Sequence, residues 1–334
     1  MSAFKNEEVL YPEYLPSNLP HRENQIKLIA DHINILGKNK KPQNIFIYGP
    51  SGVGKTAVTK FIIREFENYS GIKCIYINCW EFNTTFAVIF EILRSLGIFS
   101  PRRGVAKDEL FLKLVEYLEK SKRNLLIALD EIDVLIKKDQ QIIYDLVRIG
   151  NYTKQNIMLI LISNNKYILK DLEERIKSSL NLEEIEFKPY TFFEVKEIIE
   201  ERMKLAFRIY DEGISVLVAN KVVEMGGDIR VALNILLKAG RLAKDKLTLD
   251  IVKQVIKENS SFTIEEKINN FEEKEKIVLD IFNQPKSIKT AYKEIKEKLN
   301  ISERTLRRIV DKLVAKNLLK EIGFQNKEKI FVKT

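Results

Sequence analysis

The chain has 334 residues, 45% hydrophobic and 31% charged, with a formal net charge of +9. This composition excludes a disordered chain, and no apolar run approaches the roughly 20 residues that a membrane helix needs. Two cysteines, Cys74 and Cys79, stand far from the two histidines, which leaves no metal set and predicts structural thiols.

Met1 to Leu10 carries Lys5, Glu7 and Glu8 and no apolar signal core, so a cytoplasmic protein is expected. Pro12, Pro16 and Pro20 make the lead-in irregular. A helix opens at His21-Arg22-Glu23, with Ile26, Leu28, Ile29, Ile33 and Leu36 mostly on one face. Asn44–Tyr48 reads as a strand, and Gly49-Pro50-Ser51-Gly52-Val53-Gly54-Lys55-Thr56-Ala57 then leads into a helix reaching about Asn68. Strand, G-x-x-x-x-G-K-[ST], helix is a phosphate-binding P-loop in its proper context. Glycines let successive backbone N–H groups point at an anion, and the helix N-terminus adds its own donors. Lys55 is expected on the β- and γ-phosphates and Thr56 on Mg²⁺.

Lys73–Asn78 is a second strand, followed by a helix through Phe86, Ile89, Phe90, Leu93 and Leu96. A loop at Ser100–Gly104 precedes a helix through Leu110, Leu114 and Leu118. The continuous apolar runs Asn124–Leu129 and Ile157–Ile162 are buried strands, and Glu183–Phe187 is a last short one. Apolar strands alternating with helices predict an α/β fold, a parallel sheet covered on both faces, with ligand chemistry at the strand C-termini. Asp130 and Glu131 fall there: one carboxylate suits the Mg²⁺ shell and the other the attacking water, and Asp130 is assigned the metal. Asn164, after the next strand, bridges γ-phosphate and water or merely caps a turn. Arg175 is either an arginine finger for a neighbour's nucleotide or the partner of Asp171 in an i,i+4 salt bridge.

From Pro189 the alternation stops. Thr191–Phe207, Ile214–Met225, Ile229–Lys244 and Leu249–Asn259 read as helices, broken by Gly226-Gly227. Arg230 begins the third; it touches the γ-phosphate if this helical domain caps the nucleotide, and is otherwise a surface residue. Ser260–Glu266 is a plausible hinge, and a last domain starts near Thr263. Its order is helix (Glu272–Phe282), helix (Ser287–Leu299), helix (Ser302–Lys316), then strands Leu318–Ile322 and Lys329–Val332 joined by Gly323–Glu328. Three helices and a β-hairpin make a winged helix-turn-helix. The expected division is 1–188, 189–262 and 263–334.

Residues 284–334 hold 14 Lys/Arg against 6 Asp/Glu, so nearly all the excess charge sits in this block. A local basic block points to a polyanion, or to a solvated Lys-rich face. In the third helix Leu306, Ile309, Val310 and Leu313 form the buried side, with Ser302 as N-cap. Arg304, Thr305, Arg307, Arg308 and Lys312 stay outside, as a helix entering a major groove requires. Lys327 and Lys329 at the hairpin are available for phosphates.

The P-loop, Asp130-Glu131, Asn164, Arg175-Ile176-Lys177-Ser178-Ser179-Leu180 and Gly227-Asp228-Ile229-Arg230 resemble the Walker motifs, sensor 1, arginine-finger box and sensor 2 of an AAA+ ATPase. Together with Leu19-Pro20-His21-Arg22-Glu23 and the C-terminal winged helix, the whole chain resembles the archaeal replication initiators related to the origin recognition complex and its Cdc-type loader. The resemblance implies ATP or ADP with Mg²⁺ between sheet domain and lid. It implies sensor roles for Asn164 and Arg230, and a trans-acting role for Arg175. It also implies duplex origin DNA, the replicative helicase and other copies or paralogues on DNA as partners, with slow hydrolysis serving as a switch. An extra DNA-gripping helical element is expected at Ile98–Lys107, where Arg102 and Arg103 suit phosphates. The chain is short for this family, mostly in the winged domain, and its wing lacks a Gly/Arg-rich tip. Two alternatives share the scaffold: a DNA-binding transcriptional regulator, and a clamp-loader-like or signalling ATPase whose winged helix binds protein.

Overall fold

The computed structural model describes residues 2–38, 40–102, 104–258, 273–299, 301–315, 318–325 and 328–333. Two compact units divide it, Met1–Val252 and Lys253–Thr334. Among the described residues no helix is long and apolar enough to cross a membrane.

The first unit opens with a short 3-10 turn, Glu8–Leu10, and helix α1 (Glu23–Gly37). Then come β1 (Asn44–Tyr48), α2 (Lys55–Ser70), β2 (Lys73–Asn78), α3 (Thr85–Ser95), α4 (Lys107–Ser121) and β3 (Leu125–Asp130). They are followed by α5 (Asp133–Lys138), α6 (Gln141–Val147), β4 (Ile157–Ser163), α7 (Glu174–Leu180) and β5 (Leu182–Glu186). The strands pair in parallel in the order β2-β3-β4-β1-β5. Strands β1, β3 and β4 are buried along their whole length, as continuous apolar runs require. Period-2 alternation splits their side chains between two cores. Phe46, Ile77, Ile127, Leu129 and Leu161 pack under α3 to α7, while Ile45, Ile47, Leu126, Ala128 and Ile160 pack under α1 and α2.

Three helices complete this unit: α8 (Phe192–Ala206), α9 (Ile214–Glu224) and α10 (Ile229–Leu242). Thr191 and Glu194 close a capping box on α8. A further helix, α11, covers 249–258. The lead-in is irregular as expected, but it is packed. Phe4 pairs with Phe207 across a β-bridge, Lys5 N donates to Ala206 O at 2.7 Å, and Arg202 Nη1 donates to Val9 O at 2.9 Å. Residues 2–10 thereby strap onto the helical layer, with Ala3, Val9 and Leu10 buried.

The second unit holds α12 (Glu273–Ile281), β6 (Lys286–Ser287), α13 (Ile288–Lys298), α14 (Glu303–Ala315), β7 (Leu319–Gln325) and β8 (Glu328–Lys333). The antiparallel order is β6-β8-β7. This is the element order expected of a winged helix-turn-helix, with β6 added. Leu306, Val310 and Leu313 of α14 pack against Val278, Phe282, Ala291, Ile295 and Phe331.

Two expectations about the fold need correction, and a third falls outside the described residues. The described residues of 96–106 contain no helix, so the element expected at Ile98–Lys107 is a loop; Ser100-Pro101 and Gly104 favour turns over helix there. The hairpin strands run closer to the turn, with Gln325 paired to Glu328, because β-branched and aromatic residues continue the ladder past the irregularity at Glu321/Gly323. The hinge expected at Ser260–Glu266 and the domain start near Thr263 lie outside the described residues, as do Arg103 and Lys327.

Asn44 ties the sheet's entry edge together. Its Nδ2 donates to Leu180 O at 2.6 Å, and its Oδ1 accepts from Leu159 N at 2.8 Å, both in buried surroundings. Asn44→Ala leaves a buried donor and acceptor unmatched and should lower the unfolding free energy of the first unit by about 2–3 kcal/mol, read by urea unfolding.

Candidate nucleotide-binding cleft and basic helix face

The P-loop leaves β1 and enters α2 with Gly49, Gly52 and Gly54 at positive φ. Two of them also answer to space. A Cβ on Gly49 would stand 2.1 Å from Phe187 O, and one on Gly52 would stand 1.8 Å from Asp228 Oδ1. The second approach seats the start of α10 on the loop, where Ile229 N donates to Gly52 O at 3.3 Å.

Lys55 is buried, and its Nζ donates to Gly49 O at 2.8 Å, Pro50 O at 2.7 Å and Asn164 Oδ1 at 2.7 Å. Burial holds its pKa below the ordinary lysine value, against the pull of Asp130 and Glu131. Thr56 Oγ1 donates to Asp130 Oδ2 at 2.6 Å, and Glu131 N donates to Asp130 Oδ1 at 2.9 Å. A hydroxyl and a carboxylate this close supply the hard oxygen donors that Mg²⁺ takes.

Glu131 has a left-handed backbone, φ 54, uncommon for a residue with a Cβ and typical of functional positions. Asn164 Nδ2 reaches both its carboxylate oxygens, each at 3.1 Å. Burial, then Asp130, raise the Glu131 pKa, and the Asn164 bond opposes them. The adjoining turn is capped by Ser163 and Asn165, which leaves the Asn164 amide to join Lys55 to Glu131. The turn-capping reading of Asn164 is thereby set aside.

Arg230 comes across from the helical layer. Its Nη2 bonds to Ser51 Oγ and to Asp228 Oδ2, the latter at 2.7 Å. Burial disfavours the Asp228 charge, but the bonds from Arg230 outweigh it and hold the pKa below the usual carboxylate range. Tyr11, Pro12, Glu13, Tyr14 and Leu15, which continue the strap, line the same cleft with Ile229 and Leu233.

Two further residues escaped the sequence reading. Arg22 is 4% exposed; its Nε donates to Val53 O at 3.0 Å, its Nη2 donates to Lys188 O at 2.9 Å, and its guanidinium lies 3.8 Å from the Tyr190 ring centroid. The only signal was its place in the Leu19–Glu23 motif. Tyr76 OH donates to Asp130 Oδ2 at 2.6 Å, and burial, then Asp130, push its pKa up. A polar tip within the apolar run Cys74–Ile77 was its trace.

Arg175 does not line the cleft. Its ion pair is with Glu173 at 2.6 Å, not Asp171, and its guanidinium lies over Tyr144. The reason is that Asp171 ends a separate 3-10 turn, while Glu173 immediately precedes α7. Arg102 is exposed and lies over the Phe90 ring.

On α14, Ser302 Oγ accepts from Thr305 N at 3.2 Å, the expected N-cap. Arg304, Arg307, Arg308 and Lys312 are all exposed, but their charges are not equally available. Arg307 pairs with Glu303 at 2.7 Å and Lys312 with Glu275, while Arg304 and Arg308 make no ion pair among the described residues. Lys329 of the hairpin is exposed and pairs with Glu321 at 2.9 Å.

Residues 38–170 match the family model of an AAA domain, and residues 196–261 match that of a Cdc6 AAA+ ATPase-type lid domain. The chain is similar to the ORC1-type DNA replication protein 1 of Sulfurisphaera tokodaii, with 33% identity over 329 residues, covering 92% of this chain and 82% of that one. The ORC1-type DNA replication protein of Pyrococcus abyssi is 33% identical over 335 residues, covering 92% and 80%. Among solved structures, the Aeropyrum pernix ORC1 protein in complex with DNA superimposes with a TM-score of 0.71 at 27% identity, covering 99% of this chain and 93% of that one.

The raised Glu131 pKa has a consequence for stability. The folded state holds that proton more tightly than the unfolded state does. The contribution is complete below the unfolded-state pKa and is lost as pH rises through the folded one. At neutral pH the charged carboxylate is therefore a liability. Glu131→Gln should raise the melting temperature near pH 7, with the difference from wild type shrinking as pH falls into the carboxylate range, followed by calorimetry.

Proposed function

The chain belongs to the ORC1-type DNA replication proteins, and on that footing we propose that it is an ATP-dependent initiator that binds duplex DNA at replication origins and helps recruit or load the replicative helicase. The observation that carries the reading is the conjunction of a complete P-loop cleft in one unit with the α14 face bearing Arg304 and Arg308 in the other. Residues 1–188 are the ATPase core, 189–262 the lid and 263–334 the DNA-binding domain.

In this mechanism Gly49 to Thr56 wrap the phosphates with backbone N–H groups, and Lys55 turns its ammonium to the terminal phosphates. Thr56 and Asp130 would hold Mg²⁺, which would offset phosphate charge and help orient the terminal group. Glu131 orients and polarises the attacking water, with Asn164 fixing the carboxylate between Lys55 and the water. Arg230 exchanges Asp228 for the terminal phosphate, so the lid's seating on the P-loop depends on the nucleotide. Arg175 serves a neighbouring copy's nucleotide. The strap residues Tyr11 to Leu15 close the cleft over the nucleoside. Hydrolysis is slow, and the nucleotide state sets what surface the protein offers its partners in the nucleoid. On DNA, Ser302, Arg304, Thr305 and Arg308 face the groove, and Arg102, Arg103, Lys327 and the paired Arg307, Lys312 and Lys329 add phosphate contacts.

Lys55→Ala should abolish detectable ATP binding by calorimetry. Arg304→Ala/Arg308→Ala should weaken binding to an origin duplex and, where both contact phosphate, lessen the slope of log affinity against log salt by about 2. Arg307→Ala, already neutralised by Glu303, should change that slope by less. Unchanged affinity in the double variant would refute the assignment of α14 to DNA.

A further inference from the structure

Among the described residues the Asp130 carboxylate accepts three hydrogen bonds, and one comes from a residue with no part in the mechanism above. Oδ1 takes the Glu131 N–H at 2.9 Å; Oδ2 takes Thr56 Oγ1 and Tyr76 OH, each at 2.6 Å. We propose that Tyr76 is a positioning residue that fixes the Asp130 carboxylate for the Mg²⁺ shell. This role presupposes the metal–nucleotide reading of the cleft.

The two hydroxyls reach one oxygen from different elements, Thr56 from α2 and Tyr76 from the neighbouring strand β2. In the β2–β3 register Asn78 lies opposite Asp130 and Tyr76 opposite Ala128, on the face covered by α2. The tyrosine therefore reaches along its strand to the carboxylate. Its ring is held from above by Lys60 Nζ, 4.4 Å from the centroid. Lys60 is one helical turn beyond Thr56 and lines the same cleft. Thr56 has two tasks, a lone pair for the metal and a proton for Asp130. Tyr76 has one, and so keeps the carboxylate's rotation set while Thr56 adjusts. Carboxylate torsions are broad and roughly two-fold unless held from outside. Asp130 is 5% exposed, so water does not readily replace a lost donor.

The test is binding of a fluorescent ATP analogue to the full chain, in EDTA and across an Mg²⁺ titration, for wild type, Tyr76→Phe and Tyr76→Met. Both variants keep apolar bulk and lose the hydroxyl, but they pack differently. The expected result is an EDTA affinity within about twofold of wild type, with the half-saturating Mg²⁺ concentration raised about tenfold in both, the range for loss of a residue that orients a metal ligand. An unshifted Mg²⁺ curve in Tyr76→Phe would overturn the assignment. So would EDTA and Mg²⁺ affinities falling together in proportion to each variant's loss of melting temperature, which would make Tyr76 a packing residue. A wild-type protein whose nucleotide binding ignores Mg²⁺ would instead overturn the reading of the cleft itself.

Discussion

A guanidinium with no carboxylate partner among the described residues lies beneath the P-loop. Arg22 satisfies its charge with the carbonyls of Val53, Lys188 and His21 and with the face of Tyr190. Leaving such a group without acceptors would be costly, so the three segments that supply them are held together. They are the entry to α1, the phosphate loop and the link from β5 to α8. The cleft is the space these segments enclose. Tyr190 then stands against Gly54, and the start of α10 rests on Gly52. The phosphate loop is thus met by the Tyr190 hydroxyl at Gly54 and by Asp228 at Gly52, close approaches that a side chain at either glycine would disturb.

From that constraint the charge arrangement follows. Lys55 is drawn into a ring of carbonyls and the Asn164 amide, and Asn164 in turn holds Glu131. Asp130, Thr56 and Tyr76 form a second group beside it. Arg230 is shared between Asp228 of its own helix end and Ser51 of the loop. A phosphate arriving at the loop meets groups already placed by neighbours on different elements. Such placement is how a site gains electrostatic stabilisation without reorganising at the moment of reaction.

Most of the sheet was legible because its signals are local. β1 and β2 are bounded by glycines, prolines and polar residues, and the buried runs of β3 and β4 end at the chemistry they carry. The strap was not legible. Val9 and Leu10 show no periodicity and lead into a run with Pro12, Pro16 and Pro20, so their burial comes from helices some 200 residues later in the chain. The two-residue β6 and the short helices α5 and α6 fall below the length at which periodicity speaks. Among site residues, the loop lysine, the two carboxylates and Asn164 could be named from their positions after strands. Arg22 and Tyr76 could not be given roles, because those depend on partners 31 and 54 residues away. Charge was read well in total and poorly in detail. The basic surplus of the last residues is present, but Arg307, Lys312 and Lys329 are each matched by a carboxylate. What α14 offers an anion is concentrated at Arg304 and Arg308.

The proposed role places this chain at replication origins. Its most direct test is a genome-wide map of the protein's binding in growing cells, set beside a map of replication starts. The account predicts a few sharp peaks coincident with those starts. Peaks spread over promoters, or no specific peaks at all, would contradict it.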